Sequence, residues 1–287
     1  MKLPKVKSRV RTAWKVAKKE RMRWAMIGLI VFVLVAILGP WVWPDDPMTV
    51  HLADQLKAPS FSHPMGTDQY GRDVFARFLV GMRISLALAL VSVTVSALIG
   101  LVLGSFSGYV GGIPDGVIGR GQDALLAFPA LVMGMALALA IGPGALAAGL
   151  AVTVTGIPWY SRVVRSEVLS LKTREFVEAE HVLGAPDRHI LFRHVVPSVT
   201  GGVAVQASLG VAYAVLAIAG LGFLGLGVQP PTPEWGSMIT EGREFLTSGQ
   251  WWISIFPGLG ILALVTFSIA LGEGMRDHWD PHGQLHF

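Results

Sequence analysis

The side chains able to do acid–base, nucleophilic or metal chemistry are kept apart from the apolar stretches of this chain. All eight histidines (51, 63, 181, 189, 194, 278, 282 and 286) fall outside those stretches. Cysteine is absent, so there is no thiolate site, disulfide or Cys nucleophile. His-Glu-x-x-His is missing, and a Ser–His dyad would need a histidine at membrane depth. No Gly-x4-Gly-Lys-Ser/Thr phosphate loop occurs, so ATP is not bound by that route. No Asp, Glu, Lys or Arg lies inside an apolar stretch, whereas proton- and ion-coupled transporters ordinarily need such groups at depth. The expectation is a protein that is not an enzyme and takes no cofactor and no metal. If it transports actively, its energy comes from another subunit.

The densest run of titratable residues is the segment Thr173 to Pro197. Glu175 to Leu183 is built of good helix formers, and Phe176, Ala179 and Leu183 recur at spacings of three and four, giving one apolar face. Gly184 is placed to stop that helix with a positive φ. Pro186 prevents simple continuation, and Asp187 can open a second helix carrying Ile190, Leu191 and Val195. Pro197 stands at the entry to the next apolar stretch. An amphipathic helix lying on lipid is the alternative. Between 162 and 198, however, five acidic residues (Glu167, Glu175, Glu178, Glu180, Asp187) face six basic ones, which favours a protein partner.

Within the apolar stretches the chemistry is weakly polar: Ser92, Ser96, Gln206 and Tyr213 stand out. Each taken alone fits close helix packing with local hydrogen bonds. Gln206 and Tyr213 are seven apart and share a helix face, so they are candidates for a polar translocation path. Ser92 and Ser96 are the further candidates.

The elements that must position these residues follow from composition. Of 287 residues, 52% are hydrophobic and 15% charged, against about 25% charged in a soluble domain. The pattern predicts an all-α polytopic membrane protein with six transmembrane helices. The expected spans are about 24–43, 85–106, 124–141, 145–161, 199–224 and 247–271, with a cytoplasmic loop at 162–198. A run of 20 residues at 1.5 Å each crosses about 30 Å of hydrocarbon. A cleaved signal peptide fits the first run poorly, because 23 residues precede it and no small-x-small site follows. The net charge of +4 divides into a basic tail, 1–23, with ten basic residues and one acidic (Glu20), and a remainder with 13 basic against 18 acidic. With both termini cytoplasmic, 18 of the 23 Lys and Arg lie inside, as the positive-inside rule requires. The tail is therefore an orientation signal rather than a nucleic-acid arm.

Two further segments have local logic. In 61–82, Thr67 or Asp68 can cap a short helix whose apolar face is Val74, Phe75, Phe78, Leu79 and Met82, with Asp73 and Arg77 elsewhere. That reads as an interfacial helix packed on the bundle. Gln229-Pro-Pro-Thr-Pro-Glu-Trp-Gly236 reads as a rigid turn and helix start, or as a contact site for an outside protein.

The same residues carry a family resemblance. Glu178-Ala179-Glu180, Gly184 and Val196-Pro197 resemble the Glu-Ala-Ala loop of bacterial ATP-binding-cassette importer permeases. The family pattern is Glu-Ala-Ala, three residues, Gly, nine residues, then Ile-x-Leu-Pro. Here Glu180 replaces the second Ala, His194 sits at the Ile position and Val196 replaces Leu. His63-Pro-Met-Gly-Thr-Asp-Gln-Tyr-Gly-Arg-Asp73, Gly108-Tyr-Val-Gly-Gly112, Ala127-Phe-Pro129, the segment Phe223 to Met238 and the ending Gly272 to Pro281 resemble the C-type subunits of dipeptide and oligopeptide permeases. The likeness covers nearly all of the chain after the basic tail.

The resemblance implies a type I ABC importer permease fold in the bacterial inner membrane. It also implies a related B-type permease subunit as heterodimer partner, two cytoplasmic ATPase subunits, an external solute-binding protein and a peptide substrate. Nickel chelates, glutathione and oligosaccharides are the alternative cargoes. It further implies that Glu175, Phe176, Glu178, Ala179, Leu183, Gly184 and Pro197 couple the spans to the ATPase. As an outer loop, the segment holding Gln229, Glu234 and Trp235 would meet the binding protein. An autonomous carrier or channel is the competing function class.

Overall fold

The computed structural model describes the backbone of residues 5–279 and the side chains of 20–276; most of the basic tail and His278, His282 and His286 lie outside the described side chains. The described chain is helical, with a single isolated bridge between Thr67 and Asp73 and no strand. In order, the helices are α1 (Lys5–Val42), α2 (Val74–Val110), α3 (Gly112–Leu126), α4 (Ala130–Ile141), α5 (Ala145–Lys172), α6 (Glu175–Val182), α7 (Asp187–Ile190), α8 (Val196–Phe223), α9 (Trp235–Gly242) and α10 (Trp252–Trp279). The backbone of α1 begins inside the basic tail, so no structural boundary separates tail from span.

Four helical stretches are long and apolar enough to cross a bilayer: 20–42, 74–110, 187–223 and 252–276. A fifth crossing arises if α3 and α4 are taken together, although they are bent by 87°. The expected span 124–141 is therefore corrected. Pro129 lacks an N–H and pushes Phe128 out of helical conformation, so α3 ends at Leu126 and α4 restarts at Ala130. Alone, the 12 residues of α4 reach only about 18 Å. The last span starts at Trp252 rather than 247, after a turn in which Gly249 adopts φ +93°.

A second correction concerns 61–82. The segment from Val74 is not a separate interfacial helix; it is the first turns of α2, a helix of 37 residues. Its cap is Asp73, whose Oδ1 accepts the Ala76 amide at 2.7 Å, not Thr67 or Asp68. Arg77 is not on a solvated face but 1% exposed. Its guanidinium meets Glu241 at 3.0 Å and Asp68 at 3.5 Å, while Arg72 meets Asp68 at 2.6 Å and Glu241 at 2.9 Å. Two cations against two anions make a neutral set, the condition under which buried charges are tolerated.

The bundle is held by close backbone approach. Gly100, Gly104 and Gly108 recur every four residues on α2, directly under α5. A Cβ at Gly104 would come within 2.4 Å of the Ser161 carbonyl oxygen, and one at Gly100 within 2.5 Å of the Tyr160 Cβ. Small residues permit such contact where lipid supplies no hydrophobic drive between helices. The seam continues upward through Ser92, which donates to the Gly149 carbonyl at 3.1 Å, and Ser96, which donates to the Thr153 carbonyl at 2.9 Å.

Candidate functional site

Two features lie at different heights of this bundle: a cavity among α2, α3, α5 and α8, and a short helix, α6, at one end.

The cavity measures about 450 Å³. Ser96, Gln206 and Tyr213 line it, so the structure brings together three of the four path candidates. Ser92 is absent from the lining; its hydroxyl is spent on the α2–α5 seam. Ser96 is similarly engaged, donating to the backbone at 2.7 and 2.9 Å. Sequence reasoning missed Gly156, Trp159 and Tyr160 of the α5 wall. Pro158 beside an aromatic pair inside a small-residue run was the available signal. Gln206 is 8% exposed, yet its amide has no protein partner among the described residues. The Tyr160 and Tyr213 hydroxyls share that state. Tyr160 fits because position 210 is glycine: a Cβ there would lie 2.0 Å from its hydroxyl oxygen. The cavity thus offers amide and hydroxyl hydrogen bonds and no charge among its lining residues.

At the other feature, α6 covers Glu175–Val182 with Leu183 as its cap, as the spacing predicts. Gly184 has φ +81°. Its amide donates to the His181 carbonyl at 3.0 Å, and the Ala185 amide to the Glu180 carbonyl at 3.0 Å. This paired closure, with a left-handed residue at the stop, is a Schellman motif. Glu175 and Glu178 fall in the first turn, where the helix dipole favours negative charge.

The expected apolar face of α6 points away from the bundle. Phe176 is 43% and Leu183 82% exposed, and Ala179 and Val182 are exposed beside them. The residue that anchors α6 is Val177, fully buried with Tyr109 of α2, Val164 and Val168 of α5, Ile190 of α7, and Val195 and Val199 near the start of α8. Sequence reasoning missed it because a helix with apolar residues on two sides does not announce which side the rest of the chain takes. A polar tie reinforces the cluster: the Tyr109 hydroxyl donates to Asp187 at 3.0 Å, and Lys172 donates to the Tyr109 carbonyl at 2.7 Å.

Pro197 is not a boundary, because the helical path runs from Asp187 through it. Residues Leu191–Val195 form a π turn. The Val196 amide reaches back five residues to the Leu191 carbonyl. Proline lacks an N–H and crowds the carbonyl four residues earlier; the widened turn just before it accommodates both.

At the opposite end, Gln229 is exposed with its amide donating to the Gly225 and Gly227 carbonyls at 3.0 and 2.8 Å. Glu234 and Trp235 are both fully buried, so neither side chain forms an outer surface of this chain. Glu234 caps α9 through the Ser237 amide at 3.0 Å and accepts from Ser85 at 2.9 Å. Burial pushes its pKa up, against the pull of the Gly236 and Ser237 amides and the Ser85 hydroxyl. Trp235 stacks on Phe78 at 5.3 Å and donates to the Phe78 carbonyl at 3.1 Å. The segment reads in sequence as a rigid turn and helix start, and α9 does begin at Trp235; it packs back against α2, α8 and α10.

Comparison with known proteins gives matches along nearly the whole chain. Residues 100–281 match the family model of the binding-protein-dependent transport system inner membrane component. Residues 8–59 match the N-terminal TM domain of oligopeptide transport permease C. A dipeptide transport system permease protein of Alkalihalophilus pseudofirmus is 38% identical over 274 residues, covering 94% of this chain and 89% of that protein. A probable D,D-dipeptide transport system permease protein of Escherichia coli is 40% identical, covering 88% and 85%. A glutathione transport system permease protein of Pectobacterium atrosepticum is 37% identical, covering 97% and 95%.

Proposed function

The chain belongs to the family of binding-protein-dependent transport system inner membrane components, and from that premise we propose that it is the membrane-spanning permease subunit of an ATP-driven importer of short peptides. The dipeptide-transport names of its relatives support that cargo. The glutathione-transport relative makes glutathione the second reading.

The observation that carries the mechanism is the exposed apolar face of α6. Phe176, Ala179, Val182 and Leu183 stand free on a helix whose far side is pinned by Val177. Such a helix can be pushed as a unit. Its anchor belongs to one buried cluster with residues of α2, α5, α7 and the start of α8, so a displacement of α6 is passed through that cluster to the bundle. We read α6 as the part seated on a cytoplasmic ATPase subunit, with Glu175 and Glu178 supplying polar contacts and Gly184 holding the turn. Pro197 serves through the π turn that it accompanies.

On the same reading the chain spans the membrane six times with both termini inside, α5 completing the count through its apolar first half. The cavity is this chain's half of the path, completed by a related permease subunit. Its uncharged hydrogen-bonding wall suits passage: it can exchange bonds with peptide amides without a charged group to trap them. Selection is then the task of an external binding protein. Its contact is better sought at Gln229 and the exposed Pro230–Pro231 than at the buried Glu234 and Trp235.

Reconstitution with and without the ATPase subunits tests the reading. Uptake is expected only with ATPase, binding protein and ATP present. Gly184→Val, which forces a β-branched residue to positive φ, is expected to leave the chain inserted while separating ATP hydrolysis from uptake. Uptake by this chain alone, indifferent to the ATPase, would make it an autonomous carrier instead.

A further inference from the structure

We propose that Glu180, His189 and His194 form a binding site for a borderline divalent transition-metal ion of the Zn2+ or Ni2+ class, at the junction of α6 with the helical path into α8. The site does not depend on the transport reading.

The three side chains come from different places in the chain and converge. Glu180 Oε1 lies 3.3 Å from His194 Nε2. The His189 and His194 rings are 5.8 Å apart between centroids, and one ligand atom from each of the three residues lies within 4.8 Å of the others. Zinc holds nitrogen and oxygen ligands at about 2.0–2.2 Å, which puts tetrahedral ligands about 3.3–3.5 Å from one another. The Glu180–His194 separation already has that value. The remaining separations stay within 4.8 Å, and the His189 side chain is exposed.

The backbone supplies a second argument. His189 and His194 are five residues apart, and in an α-helix five residues turn through about 500°, leaving the two about 140° apart. The π turn at Leu191–Val195 takes up the extra residue and brings both imidazoles to one side. Such turns mark functional sites often enough to ask what this one presents. The supports are firm: Ile190 and Val195 are fully buried on either side, and the Glu180 carbonyl is fixed by the Schellman bond from Ala185. Glu180 and His194 are also two of the positions at which this chain departs from the Glu-Ala-Ala loop pattern, and in the structure they touch.

Two imidazoles and one carboxylate suit zinc, nickel or copper far better than magnesium or calcium, which take all-oxygen shells. Glu180 and His194 are only partly covered, leaving room for ion entry and for water to complete the shell. An ion here would tie α6 to α7 and the π turn by side chains as well as by the intervening loop.

Cobalt is the probe, because its visible absorption reports the ligand field. The full chain is reconstituted in lipid nanodiscs with His278, His282 and His286 replaced by Ala, since their four-residue spacing could hold metal independently. One Co2+ per chain is expected, displaced by Zn2+ and not by Mg2+. His189→Ala, at an exposed position, and His194→Ala are each expected to weaken Co2+ binding about 100-fold or more, at or beyond the upper end seen for loss of a ligand's support. Equal binding in both variants would overturn the site, as would binding that disappears with the three C-terminal histidines, or displacement by Mg2+ as readily as by Zn2+.

Discussion

The two ends of this bundle are built on opposite plans. At the α9 end, polar and charged groups are buried and cross-braced. Asp68, Arg72, Arg77 and Glu241 close a neutral ring, and Glu234 and Trp235 tie α9 to α2. At the α6 end, the charged and apolar residues of α6 are mostly exposed, and its one buried side chain, Val177, sits in an apolar cluster. Charged groups buried in a ring give a rigid element, because no member can leave without stranding another. An aliphatic anchor has no such directionality and lets a short helix move against its seat. The first end resists change of shape; the second receives and transmits it.

Breaking the ring should have the largest effect. Arg77→Ala leaves the buried Asp68 and the partly buried Glu241 facing only Arg72, a loss of about 3–5 kcal/mol, read as a lowered melting temperature of the purified protein. A change below about 1 kcal/mol would mean that the ring is not what stiffens that end. Val177→Ala at the opposite end should cost about 2 kcal/mol and reduce ATP-driven uptake more than its melting temperature alone accounts for. Unchanged uptake would separate α6 from the mechanism.

Glu167 sharpens the comparison through pH. It lies near the α6 end of α5, against Gly202 of α8, and burial raises its carboxyl to about 7. The folded state therefore binds this proton more tightly than the unfolded chain, whose value is near 4.5. Stability contributed by the protonated form is lost as pH rises from about 4.5 to 7. Glu167→Gln should flatten that part of the melting-temperature profile and raise stability at pH 8. A profile identical to the parent's would show that the carboxylate is solvated. The smallest effect on stability is expected for Leu183→Ala, 82% exposed: under about 0.5 kcal/mol, but with a clear fall in ATP-driven uptake. A fall in stability without a fall in uptake would reverse the roles given to the two sides of α6.

The helical plan was legible because lipid forces it. Backbone groups in hydrocarbon must bond within their own segment, so long uncharged runs could only be helices. The extent of α6, its stop at Gly184, and the shared face of Gln206 and Tyr213 were legible as well, because caps and periodicity act over a few residues. The burial of Arg77 and Glu234 was not legible. Each looks like a surface charge until its partner is known, and those partners lie 164 and 149 residues away along the chain. The break at Pro129 had a local signal, but its 87° angle depends on what α3 and α4 pack against.

By itself the sequence determined an all-helical, membrane-crossing chain, a capped amphipathic helix between two spans, and a likeness to importer permeases. These rest on short-range rules: helical period, chain punctuation, and the cost of charge in lipid. Only the tertiary structure decided which side of α6 is anchored, which polar residues meet in the cavity, and that Glu180, His189 and His194 converge. Those depend on contacts between distant segments and on one π turn. A single added residue in a helical turn alters which side chains share a face, and Pro197, its local mark, does not tell which residues the widened turn brings together.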